Sequence, residues 1–204
     1  MKKLSFLILM MFFAQFLLVS CDKVEVTNDN NEDKLTVEEL TGLLHMLEEE
    51  KLARDVYIHL ENKWNLNQFR NIKNSESTHM NAIASLLDKY GVRYTILPEG
   101  EFVSSALQTL YNELTALGGQ SSAAALQVGA TIEDLDIVDL KEYIKATDKT
   151  DIIEVYESLE CGSRNHLRAF VRGITNSGAE YIPQFMTLEE YNSILSGSHE
   201  YCNE

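Results

Sequence analysis

The sequence predicts an all-α fold, a four-helix bundle with a long crossover between the second and third long helices and extra short helices. Three observations predict it. Apolar residues recur at three- and four-residue spacing through four long stretches. Only two prolines and ten glycines interrupt 204 residues, and no segment has the strict alternation of a half-buried strand. A hydrophobic content of 45% in a chain of this length suits one domain whose core needs no staples. No solenoid period is present.

The first long helix begins at Thr36, whose hydroxyl caps it while Glu39 reaches back, and it runs to about Lys63. Leu43, Met46, Leu47, Glu50, Arg54 and Tyr57 share one face. The second runs from about Asn67 to Tyr90, with Phe69, Ile72, Glu76, His79, Ile83 and Leu86 aligned and Gly91 as its stop. A non-periodic stretch around Pro98 and Gly100 follows. A shorter helix then spans Ser104 to Leu117, broken by Gly118 and Gly119. The third long helix, Ser121 to Thr147, aligns Leu126, Gly129, Glu133, Ile137 and Leu140. The fourth, Asp151 to Thr175, aligns Ile152, Val155, Leu159, Gly162, His166 and Phe170. A short helix capped by Thr187 closes the chain. The long link between the second and third long helices is what a crossover requires.

The N-terminus stands apart from this domain, which occupies residues 35–204. Lys2 and Lys3 precede an apolar run from Leu4 to Val19, short for a membrane span of ~20 residues. This is a secretory leader over residues 1–20. Its end, Leu18-Val19-Ser20-Cys21, resembles the lipobox of bacterial lipoproteins. The resemblance implies a diacylglycerol on Cys21 and a place in the cell envelope, outside the cytoplasmic membrane, facing the periplasm or the cell surface. Residues 21–34, rich in Asp and Asn, read as a solvated tether.

The formal charge is −15, and loss of residues 1–20 removes two lysines and no acid. Such a surface repels nucleic acid and excludes it as a partner. Cys161 and Cys202 remain in a compartment that permits disulfides, but spacing does not say whether their Cα atoms approach. There is no Cys-x-x-Cys pair. A Gly-x-Ser-x-Gly elbow, a phosphate loop and a dinucleotide fingerprint are also missing from the sequence, which removes those hydrolase and nucleotide-binding readings.

The chemistry lies where polar residues interrupt the apolar faces, because a buried carboxylate costs several kcal/mol unless paired or bound to a metal. Each long helix carries such an interruption near its middle: Glu50, then Glu76 with His79, then Glu133 with Asp136, then His166. Glu76-x-x-His79 puts an oxygen and a nitrogen ligand about one turn apart on one side. Carboxylates with imidazole suit iron or manganese better than a soft-ligand metal. Taken singly, His166 reads first as a satisfied core histidine, and Glu76–His79 reads equally as an internal hydrogen-bonded pair. Glu49 is a rival of Glu50, since Leu52, Ala53 and Val56 flank it. Convergence from four helices favours a metal. His45, His59 and His199 show no ligand-like spacing with the other candidates and read as surface or incidental.

These residues carry a family resemblance. Glu50-Lys51-Leu52-Ala53-Arg54-Asp55-Val56-Tyr57 resembles the Glu-x-x-Ala-x-x-x-Tyr pattern of rubrerythrin-type ferritin-like proteins, and Phe69 to Ile72 with Ser75 to His79 is similar to their second helix. From Leu35 to Leu195 the chain looks closer still to an uncharacterised branch of ferritin-like bacterial proteins. Its marks are Glu48 to Tyr57, Gly129-Ala130-Thr131-Ile132-Glu133 and Gly162-Ser163-Arg164-Asn165-His166-Leu167.

The resemblance implies a dinuclear carboxylate site, with two irons per chain or manganese as the alternative. Glu50 would be the first-helix ligand, Glu76 the bridge, His79 a ligand to one metal, and Glu133 and His166 ligands from the last two long helices. The family places a glutamate three residues before its last histidine, where this chain has Ser163; Asp136 is the nearest replacement. Either Asp136 completes the pair, or one metal is held well. Arg54, Tyr57, Arg164 and Asn165 are candidates for orienting the ligands by hydrogen bonds, with surface ion pairing or core packing as the alternatives.

Three functions are consistent with this. The first is oxidase- or peroxidase-type redox chemistry with a small oxidant and a separate electron donor, the organic substrate being unspecified. The second is metal binding without turnover. The third is a metal-free interaction domain. Beyond the lipid at Cys21, a monomer or small oligomer on a membrane suits the tether better than a closed storage shell.

Overall fold

The computed structural model describes residues 34–202. The leader over 1–20, Cys21 and the tether up to Asp33 lie outside the described residues. Those described form six helices and no strand, joined by short or irregular links.

Helix α1 (Val37–Trp64) opens with the expected capping box: the Glu39 N–H donates to Thr36 Oγ1 and the Thr36 N–H to Glu39 Oε2, at 3.1 and 2.8 Å. It stops at Asn65, the one non-glycine residue among those described with a left-handed backbone, φ 53°. Only two residues then separate it from α2 (Asn67–Lys89). At the far end of α2, Gly91 takes φ 66° and the Val92 N–H returns to the Leu87 carbonyl, closing the last turn. Serine caps then start α3 (Ser105–Gly118) and α4 (Ser122–Lys145) through Ser104 and Ser121. Helix α5 (Thr150–Asn176) and the short α6 (Leu188–Ser196), capped by Thr187, complete the order.

The four long helices close a ring: α1 packs along α2, α4 along α5, and the pairs meet through α2 with α5 and α1 with α4. Helix α3 lies against α1 and α4. Two buried apolar clusters fill the interior, one around Tyr57, Phe69 and Phe170, the other around Leu43, Ile83 and Tyr156. On α1, α2 and α5 the polar residues of the candidate site stand between these clusters in sequence, and on α4 Glu133 stands between Ile132 and Ile137 of the first.

A close approach fixes the first cluster. A Cβ at Gly129 would lie 2.4 Å from the Phe170 ring, so glycine is required for α5 to bring that ring against α4. Phe170 in turn meets Tyr57 and Phe69, each with ring centroids 5.3 Å away.

The run after Glu50 ties down the link between α2 and α3. Lys51 and Asp55 pair inside the protein at 2.5 Å; Lys51 also donates to the Pro98 carbonyl, and Asp55 accepts from the Gly100 N–H. Glu48 accepts from the Val103 and Ser104 N–H groups at the start of α3. After α5, the buried Asp134 plays the same part, accepting from the Tyr181 hydroxyl and from the N–H groups of Gln184, Phe185 and Met186. Cys161 and Cys202 are joined in a disulfide with Cα atoms 5.7 Å apart, which answers the question their spacing left open. No described helix is long and apolar enough to cross a membrane.

Candidate metal centre

Helical spacing turns Glu50 of α1, Glu76 and His79 of α2, Glu133 of α4 and His166 of α5 towards one another. The first four are 1–2% exposed and His166 8%. Their ligand atoms fall into two groups of three: Glu50, Glu76 and His79, and Glu76, Glu133 and His166. Glu76 belongs to both. One of its oxygens, Oε2, lies 2.9 Å from His79 Nδ1, and the other, Oε1, lies 3.1 Å from His166 Nδ1. Glu50 Oε2 is 3.1 Å from His79 Nδ1, and Glu133 Oε2 is 3.4 Å from His166 Nδ1. The two imidazoles stack with centroids 5.6 Å apart.

The fit to metal ions rests on what these atoms fail to do for each other. Glu50 Oε1, Glu76 Oε1 and His166 Nδ1 are buried without a hydrogen-bond partner. Glu76 Oε1 and His166 Nδ1 are near enough to bond and are not aligned to do so. Donor atoms bound at ~2.1 Å to one ion stand about 3 Å apart and aim at the ion, not at each other. Buried polar atoms left unpaired are costly, and these are placed where they could hold a metal ion.

The electrostatics describe the same crowding. Burial pushes Glu50 up to about 8, with Glu76 adding to the shift and His79 opposing it. Burial likewise raises Glu133 and, with Glu50 and Glu133 beside it, carries Asp136 well above the carboxylate range. Glu76 goes the other way: burial opposes its charge, but His166 and His79 on either side hold its carboxyl below the usual range. Against burial, Glu76 and Glu133 lift His166 to about 10. Burial thus raises every carboxyl of the centre except Glu76, whose charge the two imidazoles compensate.

Asp136 stands beside both groups and belongs to neither. Its Oδ2 accepts from Ser163 Oγ at 2.5 Å, so the serine where the family pattern has glutamate is occupied in holding this aspartate. Tyr57 reaches the centre and donates to Glu133 Oε1 at 2.5 Å. The other three candidates for orienting ligands turn away. Arg54 donates to Asp55. Arg164 pairs with Glu160 and Glu200, and Asn165 bonds the backbone of Glu200, so both hold the C-terminal segment. Glu50 falls in a buried group with Glu76 and His79, whereas its rival Glu49 falls in a different one.

Glu49 instead joins His45 and Asp139 in a third group, correcting the reading of His45 as incidental. The signal was present, since His45 and Glu49 are four apart and share a helical face. His59 and His199 are exposed, as expected. Lys51, Asp55 and Asp134 were also missed; buried charges opposite loops leave no periodic trace.

The fold and the site together define a class, an all-α protein whose helices bury carboxylate and imidazole groups able to bind metal. Within it, the chain belongs to the family described as "Uncharacterized protein domain (DUF2202)", whose model matches residues 39–198. It is similar to the "Uncharacterized protein MJ0754" of Methanocaldococcus jannaschii, with 51% identity over 168 residues, covering 81% of this chain and 91% of that protein. It is also similar to the crystal structure of hypothetical protein MJ0754 from Methanococcus jannaschii. There the TM-score is 0.80 at 47% identity, covering 89% of this chain and all of that one.

Proposed function

We propose that this chain is a ferritin-like carboxylate protein that holds two iron or manganese ions between its long helices and uses them in oxidase- or peroxidase-type chemistry. The observation that carries this reading is the shared Glu76, one oxygen facing each three-residue group. Glu50 and His79 would complete one ion's protein ligands, Glu133 and His166 the other's. When bound, such ions supply one-electron redox chemistry and a site for a small oxidant.

The chain's own residues supply the rest. Their burial excludes water and restricts access to molecules the size of dioxygen or peroxide. Tyr57 fixes the rotamer of Glu133, and the pair Ser163–Asp136 fixes a further carboxylate at the edge of the site. Electrons come from a separate donor, and the anchor at Cys21 holds the domain at the outer face of the membrane. The disulfide suits such a compartment.

The test is metal content per chain, on the full chain purified in detergent and reconstituted with ferrous iron, with Glu76→Ala and His166→Ala beside it. A loss of about two irons per chain in each folded variant, with oxygen or peroxide consumption by the parent alone, is the expected result. Iron content unchanged by either substitution would refute the reading.

A further inference from the structure

We propose that His45, Glu49 and Asp139 form a separate site for a divalent first-row cation, at the outer end of a carboxylate path into the buried centre. His45 and Glu49 lie one turn apart on α1, and Asp139 faces them from α4. His45 Nε2 is 3.5 Å from Glu49 Oε2 and 3.9 Å from Asp139 Oδ2, and all three ligand atoms fall within 4.8 Å of one another. One nitrogen and two carboxylate oxygens suit manganese, ferrous iron or zinc.

A second observation points to a ligand. Glu49 is only 8% exposed, and the oxygen turned towards His45, Oε2, is buried with no hydrogen-bond partner. An imidazolium at His45 would compensate one negative charge of this group, whereas a divalent cation compensates both carboxylates.

The position gives the site a role that the buried groups lack. The side chains of His45 and Asp139 are 35% and 30% exposed, so hydrated ions can reach them and keep water on their open side. Inward, Asp136 and then Glu133 precede Asp139 on α4 at successive steps of three residues, and Glu50 follows Glu49 on α1. A cation taken from solution at His45 therefore has carboxylates about one turn apart leading along α4 towards the buried centre. The binding site stands by itself; delivery along this line rests on the two-metal reading above.

The experiment is Mn²⁺ binding to the full chain in detergent, read as loss of the free-ion paramagnetic resonance signal, with loading followed by stopped flow. In a Glu76→Ala/His166→Ala variant, one Mn²⁺ per chain should remain, and adding Asp139→Asn with His45→Ala should remove it. In the otherwise unaltered chain, His45→Ala/Asp139→Asn should lower the total by one ion and slow loading of the rest at least tenfold. Asp139→Asn alone, on a half-exposed side chain, reports the same loss without risk to the core. A chain binding a single ion that the outer substitutions remove would uphold this site and defeat the buried one. Stoichiometry unchanged by the outer substitutions would overturn the proposal, and an unchanged loading rate would overturn delivery.

Discussion

Glu76, Asp134 and Asp136 are three buried carboxylates with three different solutions to the same penalty. Asp134 is satisfied outright, by one hydroxyl and three backbone N–H groups. Asp136 has a serine, and Glu76 has two imidazoles and an oxygen without a hydrogen-bond partner. Only the last keeps a buried oxygen free for a cation, as the proposed two-metal site requires. Asp134→Ala should strand several donors at once and cost about 3 kcal/mol, seen as a fall of roughly 6–12 °C in Tm. Metal content should be unaffected, which separates a residue that clamps a loop from one that binds an ion. Ser163→Ala removes a buried donor from Asp136 and should cost about 1–2 kcal/mol by denaturant titration. Because Asp136 belongs to neither ligand group, the iron count should survive this change as well.

At the scale of the elements, helices were legible because their periodicity, caps and stops are local. Thr36 with Glu39, Asn67, Gly91, Ser121 and Thr187 mark boundaries that the structure reproduces within a few residues. The buried polar residues on α1, α2, α4 and α5 were legible for the same reason, each being a polar break in an apolar face. The tethers were not. Lys51, Asp55 and Glu48 hold residues 98–104, a pairing across more than forty positions that no local pattern encodes. Arg164 and Asn165 adjoin His166 in sequence, yet helical geometry points them to the C-terminal segment, so adjacency misled where rotation about the axis decides. The packing of α4 on α5 makes its own prediction. Gly129→Ala drives a methyl into the Phe170 ring, which Tyr57 and Phe69 prevent from yielding. We expect a loss of about 2 kcal/mol, or roughly 4–8 °C in Tm. A neutral result by calorimetry would mean the two helices do not approach so closely.

Over the whole molecule, a ring of four helices is closed by a C-terminal segment held twice near its end. The Cys161–Cys202 disulfide closes a span of 41 residues, and its reduction should cost up to about 4 kcal/mol on chain-entropy grounds. Glu200 supplies the second hold through Arg164 and Arg168. The Arg164 guanidinium, opposed by burial and helped by Arg168, lowers its carboxyl from the ordinary 4.5 to about 2. A depressed carboxylate stabilises the fold fully above its unfolded value and loses that contribution as pH falls through the folded one. The difference in Tm between the parent and Glu200→Gln, measured with the disulfide reduced, should be constant above pH 4.5 and shrink between pH 4.5 and 2. A difference that instead grew on acidification would contradict the ion pairs.

The most direct test of the central claim is anomalous diffraction from crystals of the protein grown with Mn²⁺. Besides any peak at His45, two peaks are expected in the buried centre, about 3.5–4 Å apart as in other two-metal sites. Glu76 should lie between them, with Glu50 and His79 on one side and Glu133 and His166 on the other. Density without a peak at Glu76, at full Mn²⁺ saturation, would contradict the account.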